Sequence, residues 1–208
     1  DGAEMYQSMI RVLTAKEDSD DEKVISVIEE GKKKFPGDFV LNVEEFNFWY
    51  AKGDNTKAQL ALQKAIEADP NNKVLHFNIG VTFDNMSSSS HDNKKHDEAF
   101  EFMNKSIEAY KKAIELDDNY TDAYFNLGAL YYNQSITVKS IAGDYDGDKY
   151  EKEVERADLM MKDAIPFLEK VLENAPDDKS TLTVLKSIYF TIDDMPNYTK
   201  VNDKLKSM

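Results

Sequence analysis

Four stretches of this chain end alike, and their spacing sets the scale on which it folds. "KKFPGD" closes one at Lys33–Asp38, "EADPNN" another at Glu67–Asn72, "ELDDNY" a third at Glu115–Tyr120 and "ENAPDD" a fourth at Glu173–Asp178. Pro36 and Pro70 stand 34 residues apart. Ala58, Leu62 and Ala65 precede Pro70 at the offsets with which Ala164, Leu168 and Val171 precede Pro176. At the front of two stretches, "HFNIGVTF" (His76–Phe83) parallels "YFNLGALY" (Tyr124–Tyr131), with Gly80 and Gly128 at the same place. Repetition on this scale points to a row of small supersecondary units rather than one closed core.

Gly128 sits in the most apolar run of the chain, inside an expected helix, where glycine costs about 1 kcal/mol relative to alanine. A small residue there makes sense if a second helix crosses at that point. Close approach lets flanking large side chains pack, each worth about 1.5–3 kcal/mol when fully buried. Ala58, Ala65, Ala113 and Ala164 serve the same closeness from the other helix. Phe46 holds the equivalent place in the second stretch, which implies wider spacing there. Pro36, Pro70 and Pro176 each mark the end of a second helix, since proline cannot continue one.

These residues resemble the tetratricopeptide repeat family, whose unit of 34 residues is a helical hairpin: helix A, a tight turn, helix B. The resemblance covers nearly the whole chain, with units at 5–38, 39–72, 73–120, 121–178 and 179–208. It implies an all-α solenoid, a right-handed superhelix of about five antiparallel hairpins in one domain, with helix A on the concave side. The third and fourth units are long, at 48 and 58 residues. In the third, "NMSSSSHDNKKHDE" (Asn85–Glu98) reads as a polar loop, with a helix from near His96 to Leu116. In the fourth, helix A continues through Asn133–Ala142, and "GDYDGD" (Gly143–Asp148) turns into a helix over about 149–174. Pro166 lies inside that span and is expected to kink the helix; the alternative is a restart with Asp163 as cap. Both insertions fall between helix A and helix B and extend one edge of the array. Such lengthened hairpins are similar to those of bacterial envelope members of the family, which implies an exported protein, periplasmic or in the cell envelope. A cytoplasmic setting is the alternative, and a chain opening at Asp1 leaves room for a removed leader.

Composition narrows the function. With 40 acidic against 26 basic residues the net charge is −14, which opposes nucleic-acid phosphates and anionic membranes and favours a monomer or at most a weak homo-oligomer. The absence of cysteine excludes disulfides, thiolate metal sites and a cysteine nucleophile. No apolar run approaches the roughly 18 residues of a membrane helix.

"DYDGDKYEKEVE" places Asp144, Asp146, Asp148 and Glu155 at the ligand spacing of an EF-hand calcium loop. Lys149, however, takes the place where that loop needs glycine, and the competing reading is a solvated turn with Asp148 capping the next helix. "SSSSHD" (Ser87–Asp92) brings serine, histidine and aspartate together only as neighbours in a loop, which cannot hold a triad. His91 and His96 read as a surface coincidence. No nucleophile, base and cofactor loop converge, so the expectation is no enzyme and no cofactor.

What the family resemblance adds is a groove lined from helix A. Its places carry over to Val40, Val43, Glu44, Asn47 and Tyr50, to Phe77, Asn78, Val81 and Asp84, and to Phe125, Asn126, Ala129, Tyr132 and Asn133. Asn78 and Asn126 are equivalent, and an asparagine offers both donor and acceptor to a peptide backbone. Lysine and arginine are absent from the set, so the acidic C-terminal peptides held by chaperone-binding members are not expected ligands. The expected partner is a protein segment, extended or helical. The competing expectations are calcium-modulated binding or self-assembly through the lobe at 133–165, and asparagines that satisfy only their neighbouring helices.

Overall fold

A computed structural model describes residues 2–15 and 20–208. Its elements are ten α-helices: α1 Ala3–Thr14, α2 Asp21–Lys34, α3 Phe39–Ala51, α4 Asn55–Ala68, α5 Lys73–Asp92, α6 His96–Leu116, α7 Thr121–Ala142, α8 Gly147–Asn174, α9 Lys179–Thr191 and α10 Met195–Ser207. No strand occurs among the described residues. The helices fall into two compact units, Asp1–Thr82 and Phe83–Met208, with the boundary inside α5.

The repeated endings explain how each helix A begins. Across the connection from helix B, Asp38 N–H donates to Phe35 O, Asn72 to Asp69, Tyr120 to Asp117 and Asp178 to Ala175, at 3.1–3.3 Å. This single turn then delivers a capping side chain. Asp38 accepts from Leu41 N at 2.9 Å, Asn72 from Leu75 N at 3.0 Å and Asp178 from Thr181 N at 2.7 Å. Each cap satisfies an amide that the first turn leaves unpaired and is worth roughly 1 kcal/mol. The last residue of "PGD", "PNN" and "PDD" is therefore the first signal of the following helix.

The turns inside the hairpins share a second geometry. Gly53, Lys94 and Asp193 take left-handed backbone, with φ of 76°, 60° and 61°. The next residue closes a six-residue ring in each: Asp54 N–H to Trp49 O, Lys95 to Ser90 and Asp194 to Tyr189, at 2.8–2.9 Å. This ending satisfies the last carbonyls of helix A and favours glycine. Only the first of the three turns has it.

In the unit Asp1–Thr82, Tyr6 and Ile10 of α1, Val24, Val27 and Ile28 of α2 and Leu41 and Phe48 of α3 form the core. Gly31 of α2 faces the Tyr6 ring, and a Cβ there would lie 3.0 Å from Tyr6 Cγ. Glu44 is buried and meets Arg11 Nε at 2.6 Å, while Lys32 pairs with Glu45. Ala58, Ala61 and Ala65 of α4 are buried too, as their spacing suggested.

The unit Phe83–Met208 rests on the pairing of α7 with α8. A Cβ on Gly128 would lie 2.6 Å from Leu168 Cγ and 3.3 Å from the Ala164 carbonyl oxygen, so only glycine fits. Ala113 and Ala164 are fully buried. Met161, Ala164 and Leu168 of α8 pack with Leu182, Leu185, Ile188 and Tyr189 of α9 and Val201 of α10.

Two expectations need correction here. Asn85–Asp92 is not a loop: α5 runs to Asp92, because Phe83, Met86, Ser87 and Ser90 keep one buried face at helical spacing. Asp148 does not cap α8. The N-cap is Asp146 and Gly147 supplies a left-handed residue at 59°, leaving Asp148 in the first turn. At Pro166 the alternative of a restart capped by Asp163 is not taken: α8 continues as one helix, with Pro166 exposed.

Two stability outcomes follow from these geometries. Gly128→Ala should lower the unfolding free energy by about 1–3 kcal/mol in urea titration, because the new methyl overpacks Leu168. Lys94→Gly and Asp193→Gly should each raise it by about 0.5–1 kcal/mol by relieving left-handed strain.

Candidate functional site

The groove positions of the first unit divide by burial. Val43 and Glu44 are in the core, whereas Val40, Asn47 and Tyr50 of α3 and Phe77, Asn78 and Val81 of α5 are half-buried. Phe46 and Tyr50 stack with centroids 6.2 Å apart. Asn78 donates its Nδ2 to the carbonyl of Val74, one turn back, at 2.9 Å.

In the second unit Phe125, Asn126, Ala129, Tyr132 and Asn133 form one stripe on α7, with each of Phe125 and Asn126 repeated in kind seven residues on. Phe125 and Tyr132 lean on the core between α8 and α9 and stay half-exposed, so they are wedges as much as anchors. Asn126 repeats the geometry of Asn78, donating Nδ2 to Asp122 O at 2.8 Å. Among the described residues nothing donates to the Oδ1 of either amide. Phe190 of α9, at the place equivalent to Tyr132, is 64% exposed.

Asp84 is half-buried on α5, and among the described residues its carboxylate receives no cation and no hydrogen bond. Burial raises its pKa above the ordinary carboxylate range. Its charge adds to the burial that pushes up the Tyr110 hydroxyl. A carboxyl whose folded pKa is raised favours the fold below its ordinary range and opposes it as pH rises through the folded value. Asp84→Asn should therefore raise the urea midpoint at pH 7 and leave it nearly unchanged near pH 3 (~).

The residues of the calcium reading fall on a turn and on the helix that follows it. Asp144 and Asp146 are exposed in the turn, Asp148 opens α8 and Glu155 sits two turns further along it. Lys149 Nζ instead lies 3.5 Å from the Tyr145 ring centroid, a cation–π contact that places positive charge at the turn. Among the described residues no three His, Asp or Glu side chains converge as a metal cage.

A network absent from the sequence reading links α5, α6 and α7. His91 Nδ1 lies 3.2 Å from His96 Nδ1, and His91 Nε2 lies 3.0 Å from Gln134 Oε1. Gln134 Nε2 donates to Ser87 Oγ at 3.2 Å, and Ser87 donates to Ala99 O at 2.8 Å. The signal was available in the spacing of Phe83, Met86, Ser87, Ser90 and His91, which is helical, but the serines masked it.

With this geometry in hand, the comparisons with known proteins fall into place. Two repeat models match the chain: "TPR repeat" over residues 103–135 and "Tetratricopeptide repeat" over residues 50–72. The chain thus contains tetratricopeptide repeats. Solved structures similar to it include a MamA double mutant (TM-score 0.58, 12% identity, covering 100% of this chain and 94% of that one). Another is the MamA protein (TM-score 0.56, 16% identity, covering 98% and 89%). A third is YrrB, described as a TPR protein with an unusual peptide-binding site (TM-score 0.50, 15% identity, covering 96% and 82%). At these identities the likeness is one of fold. No curated protein matches the sequence. No helix among the described residues is long and apolar enough to cross a membrane.

Proposed function

We propose that this protein is a scaffold that holds a segment of another protein against the exposed faces of its A helices. The family is generally a non-enzymatic protein-interaction module, which supports the reading at its coarsest. The observation that carries the finer one is the pair Asn78 and Asn126. They occupy equivalent places in the long A helices of the third and fourth repeats, one in each compact unit. Each commits its amide nitrogen to its own helix, at 2.9 and 2.8 Å, which fixes the amide and leaves Oδ1 as the acceptor. An extended segment has backbone N–H groups to offer such oxygens. Recognition on this reading uses the acceptor side of asparagine, with Tyr50, Phe77, Tyr132 and Phe190 providing aromatic surface.

The charge of the surface favours a segment without excess acid. The lining lacks lysine and arginine, Asp84 carries an uncompensated carboxylate, and the chain as a whole bears −14. Peptides ending in acidic residues, and nucleic-acid phosphates, meet repulsion at every such place. A single module of this kind hosts many partners, so the segment is defined by chemistry: backbone donors, apolar side chains and neutral or basic charge.

Double replacement Asn78→Ala and Asn126→Ala tests the reading. Partner capture from the native cell extract should fall at least about tenfold, the loss of roughly one net hydrogen bond in each unit, with the helical circular dichroism unchanged. Undiminished capture by the folded variant refutes the asparagine face.

A further inference from the structure

The hydrogen bonds joining α5, α6 and α7 determine where protons can sit. Ser87 Oγ spends its proton on Ala99 O, so toward Gln134 it can only accept, and Gln134 must turn its Nε2 to the serine. That leaves Gln134 Oε1 facing His91 Nε2 at 3.0 Å. A carboxamide oxygen only accepts, so His91 carries a proton on Nε2. Neutral His91 then has its lone pair on Nδ1, aimed at His96 Nδ1 at 3.2 Å. One of these two nitrogens must hold a hydrogen and the other a lone pair. The pair accommodates a neutral state and a state with one positive charge. A second proton would set two N–H groups against each other, in two charged rings whose centroids are 5.5 Å apart.

We infer that His91 and His96 form an acid-released clasp, closed while at most one of them is protonated and opened by the second proton. The clasp spans the α5–α6 turn, whose Lys94 is held in left-handed backbone at φ 60°. It also ties α5 to α7 through Gln134, so its loss frees a turn that is already strained.

The charged groups around the pair set the direction. On α5 the neighbour is Asp92, which favours protonation of His91. On α6 Glu98 is held by Ser90 Oγ at 2.9 Å, and Lys95 Nζ lies 3.7 Å from its other oxygen. The group from α7 is the neutral Gln134. From α8, Arg156 lies 4.4 Å from the Phe100 ring, which meets His91 in a T-shaped contact, and Arg156 pairs with Glu153 at 3.4 Å. Burial is the largest effect and lowers the His91 pKa below the ordinary imidazole range; the His96 charge acts the same way. A histidine lowered in the fold contributes stability that is present above its unfolded pKa, about 6.5, and is lost as pH falls through that value and below.

Amide exchange of residues 85–98 in the full chain, corrected for intrinsic rates, tests this between neutral and mildly acidic pH. Protection should fall about tenfold or more on acidification as the turn opens. His96→Asn keeps a hydrogen-bonding group but removes the doubly charged state, so its protection should fall much less on acidification, only the burial of His91 remaining. His76→Gln, which alters the remaining histidine, should behave like the unmodified chain. Imidazole titration by NMR gives a second readout that needs no variant: the His91 ring should titrate below the ordinary imidazole range. Equal acid sensitivity in His96→Asn, or titration of the His91 ring in the ordinary imidazole range, overturns the clasp.

Discussion

The approach of one helix to its hairpin partner is the constraint on which the other features depend. In the α7–α8 pair it is set by an absent atom: a Cβ at Gly128 would fall 2.6 Å from Leu168 Cγ. The glycine's propensity penalty of about 1 kcal/mol is offset by the burial it permits. Leu168 becomes fully buried and joins Leu182, Leu185 and Ile188 beyond it. In the α1–α2 pair the same solution appears with the partners exchanged, since Gly31 belongs to helix B and the large residue, Tyr6, to helix A. The rule is one small residue per crossing, from whichever side.

This rule was legible in the sequence where glycine stood in the family's place, as at Gly128, and hidden where it did not, as at Gly31. The endings were legible as repeats because their composition recurs. Their physical role, a turn that hands a carboxylate or amide to the next helix, becomes plain only when Asp38, Asn72 and Asp178 are seen to accept from Leu41, Leu75 and Thr181. The loop reading of Asn85–Glu98 failed for a definite reason. Serine has a weak intrinsic helix preference and competes for backbone partners. Here tertiary packing overrides it: Ser87 and Ser90 are small enough to let α6 approach, and both spend their hydroxyls across the hairpin. The histidines became a pair only because that segment is helical, so their contact was beyond a reading that assigned them to a loop.

The candidate surface divides in a similar way. Val43 and Glu44 were carried over with the family's groove but are buried, Glu44 against Arg11, so helix A in the second repeat turns more of its face inward. Asn78 and Asn126 lie where the repeat pattern put them, yet the pattern could not say which half of the amide is engaged. The backbone decides that, since a carbonyl one turn back is always within reach of an asparagine amide in a helix.

Lengthening the hairpins without disturbing these faces poses a phase problem, and the third repeat solves it by heptads. Helices α5 and α6, at 20 and 21 residues, are each seven longer than α3 and α4, at 13 and 14. Seven residues make nearly two full turns, a drift of only about 20°. The added segment therefore continues the packing stripe of the original helix, as the stacking of Phe83 on Phe102 and the burial of Ser87 and Ser90 attest. The turn at its end also keeps the left-handed geometry of the ordinary repeat, with Lys94 standing where the second repeat has Gly53. Because the phase is conserved, Ser87, Ser90 and His91 face a neighbouring helix, while Ser88, Ser89 and the turn residues Asp92 to Lys95 stay exposed. That is how a stretch as soluble-looking as "SSSSHDNKKH" comes to hold a proton-counting contact between two imidazoles.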